Sequence, residues 1–169
     1  MSLRLPEIIT EEELIKILKF VKKKHHAFAF ACGFYECMRV SEIVKLQPED
    51  VHFNTKLIHI KQAKGHKDRM IPIAPEIQSG LRSQLPIKCG IRALQIAFKS
   101  YCKQVLGKAL HFHCLRHSGI THYLTAKGWS SLEVQRLAGH SKISTTEIYT
   151  HIRPENLVNR MWSDGGKNE

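Results

Sequence analysis

The chain has 169 residues, 43% hydrophobic and 24% charged, which suits one globular domain with a core of its own. It holds no apolar run of about 18 residues and no apolar signal core in "MSLRLPEIITEEEL", so no transmembrane helix or secretory leader is expected, and a cytoplasmic location is. Lys and Arg (26) outnumber Asp and Glu (15), and the net charge of +11 points to a polyanionic partner, most simply a nucleic acid.

Thr10 with Glu13 forms a capping-box pattern. It predicts a helix through "EEELIKILKFVKKK" with Leu14, Ile15, Leu18 and Val21 on one face. "HHAFAFACGFYECM" reads as a largely buried second helix, and "SEIVKL" as a short one that stops before Pro48. After Asp50 the pattern changes. "KLIHIKQ" alternates, "AKGH" is a turn and "RMIPI" alternates again, which predicts a β-hairpin with a third strand near Val51. Helix returns in "PEIQSGLRSQL" and in "IRALQIAFKSYCKQVL", the latter ending at Gly107. "HCLRHSGITHYLTAKG" is another helix, with Gly128 as its stop. "SLEVQRLAG" is a short helix, "STTEIY" opens one, and "PENLVNRMW" is the last. The tail is expected to be disordered. The fold class is α+β, mostly helical with one small antiparallel sheet.

The five cysteines (Cys32, Cys37, Cys89, Cys102 and Cys114) are odd in number and form no C-x-x-C pair, as expected of reduced thiols. The eleven histidines do not repeat the spacing of a structural zinc site, so no metal is expected. There is no P-loop and no G-x-G-x-x-G, which argues against NTP hydrolysis or dinucleotide use. Carboxylates are scattered singly, whereas a two-metal nuclease needs several together. What the chain offers is cationic. His113 and Arg116 share a helix face. Arg39 follows the second helix, Lys64 sits in the hairpin turn, His140 sits in a Gly-His turn and Tyr149 comes shortly after it. Arginine forks can neutralise a phosphate and its transition state, a tyrosine hydroxyl can attack phosphorus, and a lysine or histidine can protonate a departing alkoxide. Taken singly, each of these residues also has an ordinary structural reading.

Four segments decide between these readings: "YECMRVSEIVKLQPEDV", "AKGHKDRMIPI", "HFHCLRHSGITHYL" and "LAGHSKISTTEIYTHI". In this order they resemble the catalytic domain of the tyrosine recombinase (phage integrase, Xer-like) family, over about residues 9 to 152. The resemblance implies a tyrosine recombinase catalytic core over residues 1–163, with the family's N-terminal core-binding domain absent and 164–169 a disordered tail. It implies that Arg39, Arg116 and His140 bind the scissile phosphate, and that Lys64 is the general acid for the leaving 5′-oxygen. His113 would assist proton transfer, and Tyr149 would be the nucleophile that forms a 3′-phosphotyrosine bond. Glu42 matches an acidic position that supports the site. No cofactor is implied. The implied partners are double-stranded DNA and further copies of the chain, in a tetramer on that DNA.

Two positions depart from the family pattern. Cys37 stands where relatives often carry Gly, and Cys114 where they often carry Asp. Lys61 and Lys67 flank Lys64 on the same hairpin, and the resemblance favours Lys64, which precedes the turn glycine as the family's lysine does. Rival readings are a type IB topoisomerase-like relaxation of DNA and a DNA-binding module without activity. Leu157, Val158, Met161 and Trp162 are spaced for one apolar helix face near the C-terminus. That face either folds back on its own domain or, as the resemblance implies, docks on a neighbouring subunit.

Overall fold

The computed structural model describes residues 6–61, 68–139 and 154–164. Helix α1 (Glu11–Phe20) starts at the expected capping box. The Glu13 backbone N–H donates to the Thr10 hydroxyl at 3.2 Å, and the Thr10 N–H donates to the Glu13 carboxylate at 2.9 Å. The expected apolar face is corrected in one member. Ile17 is buried with Leu14, Leu18 and Val21 pack at the rim, and Ile15 is 39% exposed. Residues 14, 17, 18 and 21 follow the i, i+3, i+4, i+7 stripe of one helix face, which Ile15 does not. The helix also ends at Phe20 and does not continue through the lysines, because a new helix begins at Lys24.

Helix α2 (Lys24–Tyr35) is buried on every side from Phe28 to Tyr35, as an apolar-all-round core helix must be. Phe30 meets Phe98 and Phe112 edge-on, with ring centroids 5.1 and 5.9 Å away. Phe98 comes from α5 (Ile91–Leu106), which stops at Gly107 as expected. Helix α6 (His113–Thr125) crosses α2 at very short range. A Cβ placed on Gly119 would lie 2.0 Å from the Phe34 carbonyl oxygen, so only glycine allows this approach. Beyond Tyr35 the chain turns at Cys37, whose φ of 50° is left-handed, and enters α3 (Val40–Lys45). Helices α2, α3 and α6 therefore converge at Cys37.

The sheet has three antiparallel strands in the order β1 (Val51–His52), β2 (Leu57–Ile60) and β3 (Arg69–Pro72), including the third strand expected near Val51. Ile58 pairs with Ile71 and Ile60 with Arg69. The "AKGH" turn lies outside the described residues. The helix expected from Pro75 begins as a 3-10 turn (Pro75–Ile77) and becomes α4 only at Gln78–Ser83. Helix α7 (Ser131–Ala138) has its own capping box, Ser130 with Glu133, and stops at Gly139 with φ 69°. The helix expected at "STTEIY" lies outside the described residues.

Helix α8 (Pro154–Asp164) takes in Ser163 and Asp164, and the rest of the expected tail lies outside the described residues. It packs on β3 of its own chain, so of the two readings of its apolar face this structure has the first. Leu157 and Met161 are buried. The Trp162 indole N–H donates to the Ile73 carbonyl at 3.0 Å, and the Lys56 ammonium sits 3.7 Å from the centre of the indole ring. No helix among the described residues is long and apolar enough to cross a membrane.

Candidate active site

Arg116 is the third residue after His113 on α6, and its guanidinium points at the convergence of α2, α3 and α6. It is only 2% exposed, and its Nη1 donates to the Cys37 carbonyl at 2.5 Å. That carbonyl is available because Cys37 has left the helix, and it comes within reach because Gly119 lets α6 lie against α2. Nη2 is also buried and has no acceptor among the described residues. A buried charged donor without a partner is costly unless something anionic meets it. Burial first, then the charge of Arg39, brings the Arg116 guanidinium down to about 10, which still leaves it charged at neutral pH.

Arg39 caps α3, and Glu42 at the third position of that helix answers it. The Glu42 carboxylate accepts the Arg39 backbone N–H at 2.8 Å and the Arg39 Nη1 at 3.1 Å. The same carboxylate accepts both arms of Arg69, Nη1 at 2.7 Å and Nη2 at 3.1 Å. Burial alone would raise the Glu42 carboxyl, but the hydrogen bonds and charge of Arg69, joined by Arg39, hold it below the ordinary value of 4.5. Arg69 is the residue that sequence reasoning missed. It ties β3 to α3, and it also touches Gly139: a Cβ there would lie 2.7 Å from the Arg69 Nε. Gly139 is the residue before His140. Only a residue without a side chain fits against Arg69 and accepts the left-handed backbone there. The signal for Arg69 was present in the hairpin. Opposite residues on paired strands share a face, so Arg69 lies across from buried Ile60 and on the same side as buried Ile71. An arginine in an otherwise inward-facing apolar register needs an acid to meet it.

His113 opens α6, its ring edge-on to His117 with centroids 4.5 Å apart. Burial, then the charges of His117, Arg116 and Arg39, lowers its pKa below 6.5, so at neutral pH it is an uncharged imidazole able to accept a proton. Glu36, fully buried beside these groups, is pushed up to about 8 by burial, although the Ala74 N–H donates to it at 2.6 Å. It is therefore mostly uncharged at pH 7 and cancels little of the cationic field. Three guanidiniums (Arg39, Arg69 and Arg116) against one ionised carboxylate (Glu42) leave an excess of two positive charges. A phosphodiester carries one negative charge and its pentacoordinate transition state two, so this excess stabilises the transition state more than the ground state. Of the three hairpin lysines, Lys61 is committed to an ion pair with buried Asp50 at 2.5 Å. Lys64, Lys67, His140 and Tyr149 lie outside the described residues. The structure thus brings together Arg39, Glu42, His113 and Arg116 and adds Arg69.

The phage integrase family model matches residues 7–156, the span that carries every one of these groups. The chain belongs to the phage integrase family. A tyrosine recombinase of Pseudothermotoga lettingae is 30% identical over 182 residues, covering 96% of this chain and 63% of that protein. The chain spans about three fifths of the length of the curated relatives it matches. The integrase of mycobacterium phage Brujita superposes with a TM-score of 0.78 at 17% identity, over 95% of this chain and 58% of that one. The Tn1549 transposon integrase, solved in complex with circular intermediate DNA, superposes with a TM-score of 0.64 at 17% identity, over 94% and 65% of the two chains. At these identities the likeness is one of fold, and it is the fold of tyrosine recombinase catalytic domains.

Proposed function

We propose that this domain is the catalytic part of a site-specific DNA recombinase that cleaves and rejoins double-stranded DNA through a 3′-phosphotyrosine intermediate. The observation that carries the reading is the seating of Arg116. Its guanidinium is buried, fixed to the Cys37 carbonyl by one arm, free of a described acceptor on the other, and next to the clamped Arg39. That is the preorganised donor array a phosphoryl transfer needs.

In this mechanism Arg39, Arg116 and His140 hold the two non-bridging oxygens of the scissile phosphate. The Tyr149 hydroxyl oxygen attacks phosphorus in line while neutral His113 assists removal of its proton. The bond from phosphorus to the 5′-oxygen breaks, and Lys64 protonates that oxygen. The products are a phosphotyrosine ester at the 3′ end and a free 5′-hydroxyl. A 5′-hydroxyl from another strand reverses the steps and restores a phosphodiester. The ester conserves the energy of the broken bond, so exchange needs no nucleotide cofactor. The charge of +11 fits a DNA partner, and the Tn1549 integrase provides a DNA-bound example of the fold. Exchange between duplexes calls for several copies, and a tetramer on DNA is the assembly proposed.

The test is covalent capture on a duplex nicked close to the cleavage site, from which the short 5′-hydroxyl strand diffuses away. The chain gives a denaturant-stable protein–DNA adduct, and Arg116→Ala gives none while still binding the duplex. Strands joined to a second duplex identify a recombinase, whereas relaxation alone identifies a topoisomerase-like enzyme. No adduct from any duplex under these conditions sinks the proposal.

A further inference from the structure

The first turn of α2 carries His25 and His26, and the connection between α4 and α5 brings Cys89 beside them. The candidate ligand atoms of the three side chains all lie within 4.8 Å of one another. They open onto a surface groove lined also by Lys23, Lys88 and Tyr101. The groove is one length of α2 away from Cys37, about 18 Å for twelve residues, and so is separate from the phosphate-binding groups.

We propose that His25, His26 and Cys89 form a site for a divalent transition-metal ion, with Zn²⁺ the best match. Two imidazoles and one thiolate are a borderline-soft donor set of the kind zinc takes, with a fourth position left for water or an incoming donor. A second observation points the same way. His26 is 7% exposed, yet its Nδ1 is buried with no hydrogen-bond partner among the described residues. A buried ring without a partner for that nitrogen leaves the orientation of the His26 imidazole unfixed by the protein, free to serve a metal.

The distances are close to those required. With bonds of about 2.0–2.3 Å, ligand atoms of a tetrahedral zinc site stand roughly 3.5 Å apart. The three donors must therefore close by about 1 Å, starting from a spacing of up to 4.8 Å. His25 and Cys89 are only partly buried, one in a first helical turn and one in a connection, and both have room to rotate. On binding, the Cys89 thiol gives its proton to solvent and its sulfur lone pair to the metal, which balances one charge of the ion. Lys23 and Lys88 oppose a dication in the same groove. Removing either therefore strengthens binding, the reverse of what loss of a surface lysine does to DNA affinity. No spacing motif announces the site, because Cys89 is far from the histidines in sequence and only the fold brings them together.

The experiment is titration of the whole chain with Co²⁺ as a spectroscopic stand-in. The site gives a thiolate-to-cobalt charge-transfer band at one equivalent, Zn²⁺ displaces it, and Zn²⁺ raises the melting temperature. Cys89→Ser and His25→Ala, both at partly exposed positions, keep the metal-free melting temperature and weaken Co²⁺ binding by roughly 100-fold or more. Lys88→Ala tightens it. No band with the intact chain, or an equal band in Cys89→Ser, overturns the proposal. So does a Zn²⁺ stabilisation that is the same in both chains.

Discussion

Arg69 grips Glu42 with both arms of its guanidinium, Nη1 to Oε1 at 2.7 Å and Nη2 to Oε2 at 3.1 Å. Glu42 in turn holds Arg39 through backbone and side chain, so a residue of β3 sets the position of Arg39 at the start of α3. Arg69→Met removes the fork and leaves the buried carboxylate with Arg39 alone. The loss is about 2–3 kcal/mol, less than for a pair stripped of every partner. That corresponds to a drop of roughly 5–10 °C in Tm. The pH dependence changes as well. The Glu42 carboxyl is held below 4.5 in the fold, so the stability it contributes is complete above about 4.5 and is lost as pH falls through the lower folded value. With Arg69 gone that value rises and acid unfolding begins at higher pH. Thermal melts of both chains between pH 3 and 7 measure this, and coincident acid limbs contradict it.

Glu36 behaves in the opposite sense. Its folded carboxyl is raised to about 8, against an ordinary 4.5, so between these values the unfolded chain ionises while the folded chain keeps its proton. Stability from this residue therefore falls as pH rises from about 4.5 to 8 and is level beyond. Glu36→Gln mimics the protonated form and keeps an oxygen for the Ala74 N–H. The variant is expected to be more stable than the parent at pH 8, by on the order of 4 kcal/mol, and nearly equal to it at pH 4.5. Denaturant midpoints at the two pH values make the comparison. An advantage that does not grow with pH contradicts the assignment.

Gly119→Ala tests how Arg116 is seated. The new Cβ falls 2.0 Å from the Phe34 carbonyl and forces α6 away from α2. The expected loss is about 2–3 kcal/mol of stability. Because Arg116 moves with α6, covalent DNA capture falls by more than the loss of folded protein explains. Ser118→Ala, one residue away on α6, serves as the reference. If capture per folded molecule is equal in the two variants, the crossing does not set Arg116.

Helix α8 rests on its own chain through Leu157, Met161 and Trp162. Trp162→Ala deletes the bond to Ile73 and the contact with Lys56, and is expected to cost about 2–3 kcal/mol at this half-buried site. A Tm unchanged in dilute solution would contradict this packing of α8 on its own chain.

Much of this arrangement was legible in the sequence, and the omissions have physical causes. Arg39, His113 and Arg116 carry local motifs, and helix starts such as Thr10 and Ser130 carry reciprocal caps. Cys37 stood out as a departure from the glycine common in relatives. The turn that exposes its carbonyl to Arg116 is left-handed, with φ 50°, a conformation that glycine adopts most readily. Arg69 escaped because pairing across strands, not any spacing within "DRMIPI", turns it inward. Lys61 and Lys64 looked alike in sequence, and only the fold shows Asp50 within reach of Lys61. On α1 one member of the expected face changes, Ile17 for Ile15, because the i+3 position completes the stripe that Leu14, Leu18 and Val21 already define.

Tyr149 is proposed to supply the oxygen that attacks DNA. The direct measurement is covalent capture on a nicked duplex by the chain and by Tyr149→Phe, followed by peptide mapping of the attached nucleotide. The parent chain is expected to give an adduct with the nucleotide on Tyr149. Tyr149→Phe is expected to give none, with its affinity for the duplex unchanged because only one oxygen is missing. An adduct that persists in Tyr149→Phe, or a nucleotide mapped to any other residue, rules Tyr149 out as the nucleophile.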